Sequence, residues 1–373
     1  MRIAHVVTYV SPDGAFGGPT RVALGQAEAL AEIGHDVTVY AAAPPRLAQT
    51  VARGGYTLRT FPARRLAPLG GFASLAAPSM LTALRSDITK FDVAHIHLAR
   101  DLVTLPAAHI VRRSHVPYVL QAHGMIDASR NPLSGPLDAL LTKPVLRDAV
   151  VALALTDQEA LDLTGIQPLT RVGKIINGVR VTDLRSYENR EDLVLFLARL
   201  ASRKRPLEFV KMATQLRDRL PSTRFILAGP DEGQGEAVRR AISDADMGDR
   251  LEWIGAVPPD STDTILSSAR VYVLPAVDEV FPMSILEALR VGTPVVTTDS
   301  LGIAPKCDHY GAAIITDGTS TQLANAVERV LSDPRESARL RQGGLDFIRS
   351  ELDITMVAHA LESTYASMLG GRG

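Results

Sequence analysis

Two glutamates eight positions apart frame the segment Glu279-Val-Phe-Pro-Met-Ser-Ile-Leu-Glu287, which follows the apolar run Val271–Pro275. Pro282 suits the first position of a helix, where its missing N–H costs nothing. The backbone around Phe281, Pro282, Met283 and Ser284 then offers a helix N-terminus, whose partial positive charge suits a diphosphate. Glu287 falls about a turn and a half inside that helix, where a carboxylate can accept hydrogen bonds from a vicinal diol. Glu279 stands ahead of the helix, at the edge of a cleft. In isolation the pair would read as a capping acid and a surface salt-bridge partner; the strand–loop–helix setting favours chemistry.

Further candidates follow other strand-like runs. Arg199-Leu-Ala-Ser-Arg-Lys204 closes the run Leu193–Leu200. A fixed guanidinium and a mobile ammonium can stabilise a departing diphosphate without a divalent ion. Flanked by Arg203 and Arg205, the same residues alone would pass for a solvated basic run. Near the N-terminus, Phe16-Gly17-Gly18-Pro19 lets the backbone approach a phosphate or sugar closely, although a plain turn fits as well. It is not the G-x-G-x-x-G fingerprint, which argues against a nicotinamide cofactor. In Asp92-Val-Ala-His95-Ile-His97, period-two alternation puts both imidazoles on one face. With His123 of His123-Gly124-Met125 they could ligate zinc. Packed structural histidines are the preferred reading, with His97 at an acceptor site.

Together these segments resemble the retaining nucleotide-sugar glycosyltransferases of family 4, whose fold is called GT-B. The Glu279–Glu287 segment is similar to the family's E-x7-E motif, and Arg199 with Lys204 resembles its basic pair on the donor diphosphate. Gly17 and Gly18 resemble its glycine-rich loop. His123 resembles the histidine that contacts the transferred sugar, whose main chain helps at the reacting carbon. Thr156-Asp-Gln-Glu159 and Asn177-Gly178-Val179 resemble its T/S-x-x-E turn and interdomain N-G-V. Ala228-Gly229-Pro230-Asp231 and Trp253-Ile254-Gly255-Ala-Val-Pro258 resemble the loops near ribose and base. The resemblance runs from Ile3 to about Leu331. It departs at Arg180, where the family usually has Asp, and at Ser300–Lys306, which lacks the common acidic residue.

The resemblance implies a catalytic set of His123, Glu279, Arg199 and Lys204. It implies donor contacts from Gly17, Gly18, Gly229, Ile254, Phe281, Pro282, Met283, Ser284 and Glu287. The donor would be a nucleoside-diphosphate sugar of UDP or GDP type, the acceptor a glycan, a lipid-linked glycan or a small molecule. Neither a metal nor a separate cofactor is expected, and no D-x-D motif follows a donor-domain strand. Retention of configuration is implied by the family. Two alternatives share the fold: a nucleotide-sugar 2-epimerase, which needs no acceptor, and a non-catalytic nucleotide-sugar binding protein.

The elements that must position these residues alternate along the chain. Short Val- and Ile-rich runs at Ile3–Val10, Val37–Ala42, Tyr56–Phe61, Val93–Leu98, Tyr118–Ala122 and Val150–Thr156 read as strands, with the helix Pro19–Ile33 among them. A second series, Leu193–Leu200, Arg224–Gly229, Leu251–Gly255, Val271–Pro275, Pro294–Thr298 and Ala312–Thr316, is interleaved with four helical patterns. These are Pro206–Arg219, Gly235–Asp246, Pro282–Val291 and Ser320–Ser332. Alternation predicts α/β architecture with parallel sheets, here as two doubly wound Rossmann-like domains facing a central cleft. The expected domains are 1–170 for the acceptor and 171–351 for the donor, joined between Gly165 and Asp192. The tail 352–373, apolar at helical spacing from Met356 to Met368, would cross back to the first domain.

Composition agrees with a folded protein of 373 residues, 46% hydrophobic and 22% charged. A single cysteine, Cys307, points to a reducing cytoplasm. The run after Met1 reads as a strand and not as a signal peptide. A net charge of −1 carries no nucleic-acid signature. Residues 1–150 hold 15 basic and 10 acidic side chains, the remainder 25 and 31. Basic pairs such as Arg64-Arg65 and Arg112-Arg113 could favour the inner face of an anionic membrane, but a solvated face is the better account. Oligomeric state leaves no trace in the sequence.

Overall fold

A computed structural model describes residues 1–11, 17–66, 71–127, 134–182, 187–279 and 281–370. Phe16, Val280 and part of the expected join, 183–186, lie outside the described residues. Two α/β units result: residues 1–11, 17–178 and 354–370, and residues 179–353.

In the first unit the strands are β1 (Arg2–Tyr9), β2 (Asp36–Ala43), β3 (Thr50–Arg53), β4 (Tyr56–Pro62), β5 (Arg64–Arg65) and β6 (Leu75–Ala76). They continue with β7 (Val93–His97), β8 (Tyr118–Gln121), β9 (Val151–Ala154) and β10 (Val172–Lys174). Eight of them form one sheet in the order β10-β9-β8-β7-β1-β2-β4-β3, while β5 and β6 pair separately. Every pairing in the large sheet is parallel except β3 with β4.

A parallel sheet is covered on both faces, so its strands carry apolar residues almost continuously. In β1, Ile3 and Val7 face one layer and Ala4 and Val6 the other, all of them buried. The first layer takes Ala23, Ala27 and Leu30 from the helix Gly17–Glu32. It also takes Val357, Leu361, Tyr365 and Met368 from the C-terminal helix Ile354–Gly370, which therefore belongs to this unit. The unit extends to Gly178 and not to residue 170, because β10 pairs with β9. Three residues centred on Gly173 show no apolar run, so β10 escapes pattern reading.

The second unit has β11 (Glu191–Leu197), β12 (Arg224–Ala228), β13 (Leu251–Trp253), β14 (Ala269–Leu274), β15 (Val295–Thr298) and β16 (Ala313–Thr316). They form an all-parallel sheet in the order β13-β12-β11-β14-β15-β16. This is the doubly wound order in which the first strand lies beside the fourth, and ligands bind at that switch point. In the first unit the corresponding neighbours are β1 and β7. The helix Pro334–Phe347 was not expected from the sequence, since it contains Gly343-Gly344. A Cβ on Gly343 would lie 2.3 Å from the Tyr310 carbonyl oxygen, so glycine is set there by close packing and not by a turn. Among the described residues no helix is long and apolar enough to cross a membrane.

The first unit's switch point is lined by imidazoles. His5 on β1 pairs in register with His95 on β7, and His5, His95 and His97 are fully buried. Burial disfavours their charged forms, lowering His5 to about 3 and His95 and His97 well below the usual value. Below about pH 6.5 the unfolded chain therefore binds protons that the native state does not. Stability from this source is complete above about pH 6.5 and falls with pH, by about 1.4 kcal/mol per unit for each imidazole. Calorimetric melts should show a loss on the order of 4 kcal/mol between pH 6 and 5 for the three together. A melting temperature unchanged over that interval would mean that these rings are not held neutral.

Candidate active site

In the second unit the loops after β11 and β14 leave neighbouring strands at their carboxyl ends. The first loop carries Arg199 and ends in a single turn, Ser202–Lys204, followed by Arg205 in the left-handed region at φ 51°. The second carries Glu279 and leads into the helix Met283–Arg290. Val277 N–H donates to the Arg203 carbonyl at 2.8 Å, and Thr298 Oγ1 to the Ala276 carbonyl at 2.5 Å. Gly302 N–H donates to the Glu279 carbonyl at 3.0 Å.

These ties bring Lys204 and Glu279 into an ion pair. Lys204 is buried. Burial pushes its ammonium below the usual lysine range, and Glu279 pulls it back. Arg199 instead pairs with Glu232, a residue the sequence did not bring forward.

Helix Met283–Arg290 starts one residue later than expected. Pro282 is the cap, at φ −72° and ψ 108°, and its extended ψ leaves Met283 as the first helical residue. Ile285 N–H donates to the Pro282 carbonyl at 3.0 Å, closing the turn. The amides of Met283 and Ser284 precede any intrahelical acceptor. Glu287 is only 6% exposed, so it is not a surface salt-bridge partner. Tyr272, absent from the sequence candidates, fixes this helix start. Its hydroxyl lies 3.1 Å from the Leu197 carbonyl oxygen and 2.7 Å from Ser284 Oγ.

Gly229 and Ile254 come together at the ends of β12 and β13. Gly229 has φ 143°, and a Cβ there would sit 1.9 Å from the Ala198 carbonyl oxygen, so no other residue fits. The Gly229 N–H donates to the Gly255 carbonyl at 2.7 Å, and the Trp253 indole N–H donates to the Gly229 carbonyl at 2.9 Å. Ile254 is 44% exposed.

In the first unit, Gly17 and Gly18 open the helix after β1. A Cβ at Gly18 would meet nothing within 4 Å, so the chain's own packing does not require glycine. His123 and Gly124 form a left-handed turn after β8, at φ 53° and 72°. The Glu159 carboxylate holds it, accepting from Gly124 N–H and Leu155 N–H at 2.7 Å each. Thr156 Oγ1 meanwhile accepts from Glu159 N–H at 3.2 Å, a capping arrangement. The Thr-x-x-Glu segment is thus the clamp of the His123 turn, and its capping-box spacing was the available signal. Among the described residues, the three imidazoles that each bring a nitrogen within 4.8 Å of both others are His5, His95 and His97. His5 went unnoticed because it stands alone in an apolar strand.

Comparison with known proteins bears on this arrangement. Residues 17–172 match the model described as glycosyl transferase 4-like domain, and residues 184–346 that of glycosyl transferases group 1. A 2-deoxystreptamine glucosyltransferase of Streptomyces kanamyceticus is 24% identical over 75% of this chain and 78% of its own length. A D-inositol 3-phosphate glycosyltransferase of Corynebacterium glutamicum is 23% identical over 94% and 93%. Among solved structures, a sucrose-phosphate synthase from Thermosynechococcus elongatus superposes with a TM-score of 0.74 at 17% identity, covering 99% of both chains. HepE of Anabaena, solved with UDP and glucose, gives 0.74 at 16% identity over 98% of this chain and 100% of its own. Matched by one model over residues 17–172 and by the other over 184–346, the chain belongs to the family 4-like glycosyltransferases of GT-B fold.

Proposed function

We propose that the protein transfers a hexosyl group from a nucleoside-diphosphate sugar to an acceptor hydroxyl with retention of configuration and without a metal ion. The observation that carries this reading is the buried Lys204–Glu279 pair beside the start of helix Met283–Arg290, at the second unit's switch point. In the proposed mechanism the diphosphate meets Lys204, Arg199 and the Met283 and Ser284 amides, fixed positive groups that need little rearrangement as charge develops. The bond from the anomeric carbon to the diphosphate breaks with its electron pair leaving on phosphate oxygen. The acceptor oxygen bonds to the same face, and its proton passes to the departing phosphate.

Glu287 would receive the ribose hydroxyls, and the backbone at Gly229 and Ile254 the base. Glu279 would orient sugar hydroxyls, and His123 would contact the transferred sugar. The complexes of HepE with UDP make a UDP-sugar the first donor to try. Acceptors named for the relatives, 2-deoxystreptamine and D-inositol 3-phosphate, put small polyhydroxylated molecules ahead of glycan and lipid-linked acceptors in an assay.

Transfer should continue undiminished in EDTA. An activity abolished by chelator and restored by Mn²⁺ would overturn the mechanism.

Arg199→Ala and Lys204→Ala should each lower the transfer rate by about 10²–10³, the cost of one preorganised oxyanion donor. A near-native rate in either would put the diphosphate elsewhere.

Glu287→Gln should weaken nucleoside diphosphate binding and transfer alike, because the nucleoside changes little during reaction. Glu279→Gln should fall mainly on the rate at saturating donor, since the sugar beside it gains charge in the transition state. Calorimetry with the nucleoside diphosphate and rates at saturating donor compare the two. Equal losses of affinity would refute this division of labour.

A further inference from the structure

Behind His123 lies a connected set of imidazoles drawn from three adjacent strands. His123 Nε2 is 2.8 Å from His97 Nδ1, and His97 Nε2 is 3.4 Å from His5 Nδ1. His95 Nδ1 lies 2.7 Å from the Tyr365 hydroxyl, contributed by the C-terminal helix.

Metal binding is the first chemistry such a cluster suggests, and its geometry counts against it. The rings of His95 and His97 are parallel within 6° at 4.6 Å, stacked face to face. A ring nitrogen offers its lone pair in the ring plane, so two rings in separate parallel planes cannot aim at one ion. Both nitrogens of His97 are also already engaged. His97 and His123 differ: a centroid separation of 5.1 Å with planes 12° apart is what coplanar rings joined edge to edge through their hydrogen bond would have.

Each neutral imidazole has one N–H and one acceptor nitrogen. His5 Nε2 is buried and has no hydrogen-bond partner in the described structure. An unused buried lone pair is tolerated more readily than an orphaned N–H. His5 therefore carries its proton on Nδ1 and donates to His97 Nε2. His97 must then carry its own on Nδ1 and donate to His123 Nε2. The His123 proton is left on Nδ1, for which no protein partner is found among the described residues.

We propose that His5 and His97 are positioning residues that lock His123 as the neutral Nδ1–H form, so that it meets the sugar as a hydrogen-bond donor and not as a base. This rests on the reading of His123 as a sugar contact. A neutral donor suits that place, because an imidazolium would oppose the positive charge that builds on the anomeric carbon. Burial supports it, lowering His123 to about 3 and His97 well below its usual value. The other ionisable groups here are His95, Tyr365 and Glu159. Burial lowers His95 and raises the Tyr365 phenol, while the Glu159 carboxylate is occupied by Gly124 and Leu155 N–H.

Long-range ¹H–¹⁵N correlation spectra of the full chain labelled in its nine histidines report tautomers directly. His5, His97 and His123 should all be Nδ1–H at pH 7.5 and remain so at pH 6. His97→Phe keeps a flat ring but removes both nitrogens. It should release His123 into mixed tautomers and lower the rate about tenfold at unchanged donor KM, comparable to removing the partner of a ligating imidazole. His97→Asn, whose amide can stand where Nδ1 stood, should restore most of the rate. An Nε2–H or charged His123 in the native protein would overturn the proposal. So would stoichiometric perturbation of the three signals by added Zn²⁺, or a folded His97→Phe with native rate and tautomer. If His97→Phe does not fold, the native spectrum decides alone. A His123→Ala variant with full activity would remove the sugar-contact reading, while the tautomer spectrum would still judge the chain.

Discussion

The buried ammonium of Lys204 lies against the carboxylate of Glu279. Burial lowers the Lys204 pKa from its ordinary value, and Glu279 raises it part of the way back. Neither loop alone could hold that arrangement. The pair joins the segment after β11 to the segment after β14, and hydrogen bonds from Val277 to Arg203 and from Gly302 to Glu279 repeat the connection in the backbone. Removing one partner of such a pair leaves an uncompensated buried charge, which costs far more than the pair contributes. Tyr272 repeats the connection from within, its hydroxyl meeting the Leu197 carbonyl at the end of β11 and Ser284 Oγ at the start of helix Met283–Arg290. The site is thus an electrostatic construction first, with sterics following.

The first unit solves a different problem. Its switch point is filled with groups that can be polar without being charged. His5, His95 and His97 are accompanied by a second buried chain, in which Gln26 donates to Gln121 and Gln121 to Asn177. Uncharged hydrogen-bonding side chains in a water-poor interior fix one arrangement of the atoms above them, at the cost of needing nearly every partner in place. The strained His123–Gly124 turn persists because Glu159 satisfies its backbone from below.

Much of this was legible in the sequence, for identifiable reasons. Parallel strands buried on both faces announce themselves as apolar runs, so β1, β7, β11 and β14 fall within a few residues of their expected places. The spacing of Glu279 and Glu287, with Pro282 between, marks a strand–loop–helix junction. What the sequence did not display depends on distance in space. Glu232 lies 33 positions from Arg199, and nothing local pairs them. His5 meets His97 across 92 positions. β10 is too short to form a pattern, and Pro282 capped the helix where it was expected to begin it. Local chemistry sets element types; which carboxylate answers which cation is decided by topology.

The C-terminal helix has a consequence for how the chain comes to be. Residues 179–353 are contiguous, so the second unit has all its layers as soon as that stretch has been synthesised. The first unit precedes that stretch in sequence yet lacks Val357, Leu361 and Tyr365 until residues 179–353 have been made. At about 5–20 residues per second, the sheet from β1 to β10 waits with part of one face uncovered while the whole second unit is made. The earlier unit in sequence is thus completed after the later one, and until then part of its apolar sheet face has no cover.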